Sequence, residues 1–196
     1  MESHLQRALL FIPGLLVGLT FHEAAHAITA KWLGDPTAQR LGRVSLNPLR
    51  HLSPMGTIAL LIVGIGWGKP VPVNTRNFEK PKFYYLLTSL AGPAVNVLLA
   101  GIALGILYLR PHIILYWICF SIFFVNALLA VFNLLPIPPL DGSKIWPFII
   151  PGFEKVTTGQ WSRIWLVVLL VGIYTGVISR LMSPVFEFLY GLLPGA

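Results

Sequence analysis

Apolar residues fall in long blocks along this chain rather than in short alternating runs. Ala8 to Ala30, Phe83 to Leu109 and His112 to Leu135 are each long enough for an α-helix to cross a bilayer, which takes about 20 residues. Pro81 opens the second block, and the Arg110-Pro111 pair breaks it from the third. Trp165 to Met182 is a fourth block, at the short end of the spanning range. Ser183 to Leu193 is apolar but short, a half-helix or an interfacial piece. Pro54 to Trp67 is also too short to span and reads as a re-entrant or partly inserted segment. The pattern predicts an all-α polytopic membrane protein with about four to six transmembrane helices and a small re-entrant or β-hairpin element. It reads as a single membrane-embedded domain over 1–196, with a core over about 8–150 and C-terminal helices over about 161–193. Two stretches, "GLLVG" (Gly14, Gly18) and "GIALG" (Gly101, Gly105), have the small-residue spacing of close helix contacts.

Composition supports lipid as the solvent. Only 11% of the residues are charged and 56% are hydrophobic, where soluble domains carry roughly 25% charged residues. The net charge of +7 does not point to nucleic acid, because the basic residues lie in short connectors between apolar blocks. Lys31, Arg40, Arg43 and Arg50 follow the first block, and Lys69, Arg76, Lys80 and Lys82 precede the second. By the positive-inside rule both connectors are cytoplasmic, so Pro54 to Trp67 does not cross. The third block then returns to the same side, and Lys144, Lys155 and Arg163 fall inside as well. A multi-pass protein of the cell membrane is expected. The single cysteine, Cys119, lies in an apolar run and reads as a small buried hydrophobe. The first block is too long for the core of a cleaved signal peptide, and it holds the candidate chemistry, so it is expected to stay.

That chemistry is "HEAAH", His22-Glu23-Ala24-Ala25-His26. On a helix, positions i and i+4 share a face, so both imidazoles can reach one metal ion. Glu23 stands beside them, placed to take the proton of a water that zinc has made acidic as it attacks a carbonyl. The alternative is a pair of histidines hydrogen-bonded in a packed bundle. Ionisable groups at membrane depth are costly and usually functional, which favours the metal. A catalytic zinc wants a third protein ligand and an open position. His4, His51 and His112 sit in a terminus, a connector and the outer turn, and read as surface or interfacial histidines. Asp141 lies in "FNLLPIPPLDGSKIW", on the same side as the histidine pair. Pro136, Pro138 and Pro139 break the third helix there, and irregular backbone at membrane depth is tolerated only inside protein or beside a wet cavity. The competing reading of Asp141 is a helix cap.

"HEAAH" in the first helix followed far downstream by "NLLPIPPLDG" resembles the site-2 protease family, intramembrane zinc metalloproteases of peptidase family M50. "GDPTAQRLGRVSLNPLRHLSPMGT", "GWGKPVPVNTRNF" and "LAGPAVNVLLA" are similar to the compact prokaryotic branch, which has no PDZ domain. The resemblance runs over residues 10 to 150. It implies one zinc ion held by His22, His26 and Asp141, Glu23 as general base, and Asn133 as a donor to the oxyanion or scissile carbonyl. It implies a transmembrane protein as substrate and hydrolysis within or near its membrane segment, close to the cytoplasmic side. Asn96 reads first as interhelical glue. In "GWGKPVPVN", Pro70 and Pro72 remove donors from one edge while Val71 and Val73 keep theirs, so the segment reads as an edge strand for an unwound substrate, or as a proline-stiffened connector. Two other classes stay open: a metal-ion transporter using the same His/Asp cluster, and a non-catalytic membrane scaffold.

Overall fold

The computed structural model describes residues 4–63, 66–157 and 160–195. Helix α1 runs His4–Trp32, and the four-residue α2 follows at Thr37–Arg40. Helix α3 covers Pro54–Val63, α4 Pro81–Tyr108 and α5 Ile113–Asn133. Among the described residues four further α-helices follow: α6 Gly142–Ile149, α7 Glu154–Thr157, α8 Gln160–Tyr174 and α9 Val177–Gly191. Among the described residues, three helices are long and apolar enough to cross a membrane: Leu9–Trp32 within α1, α4 and α5. The count rises to 4 if α8 and α9 together make one span.

Those three helices pack on one another, and small residues set how closely. A Cβ at Gly14 would lie 2.8 Å from Ser121 Oγ, and one at Gly18 would lie 2.9 Å from Leu129 Cδ1. Any larger residue at either position would push α1 off α5. The Gly14 N–H donates to Ser121 Oγ at 2.9 Å, so the close approach also makes a hydrogen bond. The second glycine pair behaves differently: Gly101 and Gly105 have nothing within 4 Å of an added Cβ. Their spacing therefore serves no helix contact among the described residues. Away from the ionisable residues, the core joins Ala100, Ala103 and Leu107 of α4 to Cys119, Phe120, Phe123 and Phe124 of α5 and to Leu189 of α9.

Two elements differ from the sequence reading. The block Trp165 to Met182 is not one helix, because α8 ends at Tyr174 and α9 leaves at an angle of 68°. Gly176 occupies the left-handed region (φ 75°) that only glycine adopts at little cost, and the Thr175 hydroxyl bonds back to Val171 O at 2.8 Å. Ser183 to Leu193 accordingly belongs for the most part to α9 rather than forming a separate piece. The small β element is reduced, among the described residues, to one antiparallel bridge between Leu52 and Gly68. Residues 70–73 have no regular secondary structure and no strand pairing.

The connector from Gly68 to Asn77 matters because it lies against the end of α1 that bears the histidines. Asp35, fully buried, anchors its far end. One carboxylate oxygen accepts from Asn77 Nδ2 at 2.7 Å, and the other accepts from the Asn74 N–H at 2.7 Å. Burial alone would raise the Asp35 pKa, but the hydrogen bonds from Thr37, Asn77 and Asn74 outweigh it and hold the group below its ordinary value.

Candidate metal centre

His22 and His26 sit one turn apart on α1 with their Nε2 atoms 3.0 Å from each other. Asp141 approaches from the start of α6. Its Oδ2 lies 3.1 Å from His22 Nε2 and 3.0 Å from His26 Nε2. All three side chains are buried. Asp141 stands at the N-terminus of α6, yet its carboxylate makes no capping bond, so the capping role does not hold. It faces the histidines through one oxygen and accepts from Lys144 Nζ at 2.9 Å through the other.

The far side of each imidazole decides what the near side can do. His22 Nδ1 lies 2.6 Å from Asn96 Oδ1, and His26 Nδ1 lies 2.6 Å from the Thr88 carbonyl oxygen. Both partners only accept, so each Nδ1 carries the proton and donates it. In a neutral ring Nε2 is then a bare lone pair. Two lone pairs and a carboxylate oxygen converge on one point, an arrangement that is repulsive unless a cation lies among them. The space for one exists because residue 92 is glycine. A Cβ there would lie 2.7 Å from His22 Nε2 and inside the contact distance of His26 Nε2, filling the gap. Donor chemistry and space both fit a small metal ion. Two imidazole nitrogens and a carboxylate oxygen are the donor set of open zinc sites.

Asn96 is fully buried on α4 and has more than one duty. Its Nδ2 donates to Gly18 O at 3.1 Å and to Asn126 Oδ1 at 2.7 Å, which ties α4 to α1 and α5. That is the interhelical glue the sequence suggested, and such bonds contribute only about 0.6 kcal/mol each in membranes. The bond to His22 has the larger consequence, since it fixes the ring's tautomer and orientation. Replacing Asn96 with leucine is expected to weaken zinc binding about 10- to 100-fold, as measured by competition with a chelator. A change below twofold would show that the tautomer is set elsewhere.

Glu23 points to a different neighbour. One of its oxygens accepts the Val71 N–H at 3.0 Å. The donor expected to be free for a substrate is therefore held by the candidate base. The 69–71 backbone is itself clamped by Arg43, whose guanidinium donates to Pro70 O at 3.2 Å and to Lys69 O. Arg43 is buried although it lies in a connector. Burial lowers its pKa, opposed by the charge of Glu23. His51 is buried too, contrary to its surface reading. Its Nε2 lies 2.7 Å from Ser45 O, and its own carbonyl accepts from the Lys69 N–H at 2.7 Å. Replacing Arg43 with methionine keeps the stem and removes the clamp. The expected result is a fall in kcat of about tenfold with zinc content unchanged, on the scale of one charge-assisted hydrogen bond. A KM effect alone would contradict this positioning role.

His22, Glu23, His26, Val71, Val73, Asn133 and Asp141 all line one cavity of about 110 Å³. Asn133 Nδ2 donates to Leu129 O at 2.9 Å, which leaves its amide one further N–H. Sequence reasoning did not assign Gly92, Thr88, Arg43 or Lys144 to the site. A glycine and a proline in mid-helix, Gly92-Pro93, were the available signal for close approach on α4.

Comparison with known proteins places this arrangement. YwhC of Bacillus subtilis is 39% identical over 183 residues, which cover 88% of this chain and 84% of YwhC. The profile described as peptidase family M50 matches residues 109–174, the stretch that carries Asn133 and Asp141. The chain belongs to peptidase family M50, the site-2 proteases. Two further relatives are Rip2 of Mycolicibacterium smegmatis and MJ0611 of Methanocaldococcus jannaschii. Rip2 is 34% identical over 83% of this chain and 67% of its own length. MJ0611 is 35% identical over 72% of this chain and 74% of its own length. All three relatives carry a provisional zinc-metalloprotease name. No solved structure matches the chain.

Proposed function

We propose that this zinc metalloprotease hydrolyses peptide bonds within or near the transmembrane segment of a membrane protein, at a site close to the cytoplasmic face of the cell membrane. The observation that carries the reading is the meeting of His22, His26 and Asp141, beside Glu23, inside a bundle of membrane-length helices. One zinc ion would be held by those three residues, where it supplies Lewis acidity that polarises a peptide carbonyl and acidifies water. Glu23 is the proton carrier: it takes the proton of the attacking water and returns it to the amide nitrogen as the C–N bond breaks. Asn133 directs its remaining N–H at the carbonyl oxygen, where charge develops. Val71 and Val73 form the wall along which an unwound substrate lies. Pairing with Val71 releases Glu23 from that N–H, so substrate arrival and base release are coupled.

The test is cleavage of single-pass membrane proteins by the purified chain in lipid vesicles, with products mapped by mass spectrometry. Chelator-sensitive cuts inside or within a few residues of the membrane segment are expected. Cuts confined to soluble domains would contradict the reading.

A further inference from the structure

The cavity at the histidine pair is small. Its volume of about 110 Å³ is roughly that of three or four liquid waters, enough for a peptide group but not for the side chains on either side of it. Tyr85, Pro139 and Lys144 form a wall common to this cavity and to a second one of about 670 Å³. That volume falls within the range of ligand pockets, about 300–1,000 Å³.

The lining of the larger cavity indicates what it accepts. The rings of Pro139, Pro147, Pro151 and Phe148 supply a stiff apolar surface. Three of its polar groups are already engaged. The Ser143 hydroxyl donates to Leu140 O at 2.7 Å, the Thr157 hydroxyl to Phe153 O at 3.3 Å, and Lys144 to Asp141. An occupant gains hydrophobic contact along the proline and phenylalanine wall, with Lys82, Tyr85 and Glu154 as the remaining polar lining.

We infer that the larger cavity is a specificity subsite for a bulky apolar side chain, the size of leucine or phenylalanine, belonging to a residue next to the scissile bond. The inference rests on the protease reading and adds the chemical class of substrate that reading leaves open. It assigns Phe148 and Pro147 a role in choosing the cleavage position. A peptide whose neighbouring residue is alanine fills the catalytic cavity equally well but leaves the subsite empty.

The experiment compares two vesicle-borne substrates that differ only in one residue beside the mapped cut, phenylalanine or alanine. Wild type is expected to prefer phenylalanine by at least about tenfold in kcat/KM, the lower end of what a single methylene contributes in an apolar pocket. Phe148→Ala should cut that preference to about threefold or less. Phe148 is 45% exposed, so its truncation spares the core. Pro147→Phe, which crowds the cavity, should reverse the preference toward alanine. Both variants should retain wild-type zinc. An unchanged preference in both variants, or an equal loss for both substrates, overturns the subsite. So does a finding that the variants alter only the response to anionic lipid, which would make the cavity a headgroup site. If wild type cuts neither substrate, the protease reading itself falls, and the subsite with it.

Discussion

Replacing Glu23 with glutamine is expected to reduce peptide hydrolysis by about 10²- to 10⁴-fold, the usual contribution of a positioned general base, and to leave zinc content unchanged. Glutamine is nearly isosteric and can still accept the Val71 N–H that Glu23 accepts at 3.0 Å. What it cannot do is take a proton. Among the described residues the Glu23 carboxylate bonds to the Val71 N–H and not to His22, His26 or Asp141, so the metal site keeps its ligands. The measurement is kcat/KM on a membrane substrate together with metal analysis of the same preparation. Retained cleavage with zinc bound would remove Glu23 from the chemistry and restore the transporter and scaffold readings.

Gly92→Ala is expected to abolish metal binding, by at least about 100-fold, without unfolding the protein. The added Cβ would lie 2.6 Å from His22 Cε1 and 2.7 Å from His22 Nε2. Carbon makes favourable contacts at about 3.5 Å, so the ring or the helix must yield by at least about 0.9 Å. Metal sites tolerate about 0.2 Å. The geometric demand therefore exceeds the tolerance more than fourfold, and the ion is excluded. The fold should not suffer, since alanine is favoured over glycine in a helix by about 0.8–1.0 kcal/mol. Gly101→Ala on the same helix is the control: nothing lies within 4 Å of its Cβ, and it should bind zinc as wild type does. Isothermal titration with zinc and the thermal transition by circular dichroism check both halves. A Gly92→Ala protein that binds zinc normally would show that the gap between the two imidazoles is not the metal site.

The parts legible in the sequence were those that depend on local pattern. Block length marked α1, α4 and α5, because lipid demands about 20 apolar residues whatever the packing. The i, i+4 spacing of His22 and His26 placed both rings on one face, because helix geometry fixes it. Asp141 was legible from the prolines around it, which mark irregular backbone that must line a cavity. What stayed hidden depends on how helices are rotated against each other. Asn96 and Gly92 lie four residues apart on α4, and only the packed bundle turns that face toward the histidines. Arg43 was hidden for a related reason. A charged residue in a connector reads as solvated until its backbone partners, Lys69 and Pro70, are known. The break at Gly176 escaped because no proline interrupts the apolar block, and one glycine in the left-handed region is enough to turn the chain.

The whole account depends on three side chains clasping one ion. X-ray absorption at the zinc edge, on purified protein with metal content quantified in parallel, tests that most directly. One zinc per chain is predicted, with two imidazole nitrogens and at least one carboxylate oxygen as neighbours, and with both the ion and the imidazole scattering lost in His22→Ala and in Asp141→Ala. Zinc that stays at full occupancy in Asp141→Ala, or a coordination shell without imidazole, would contradict it.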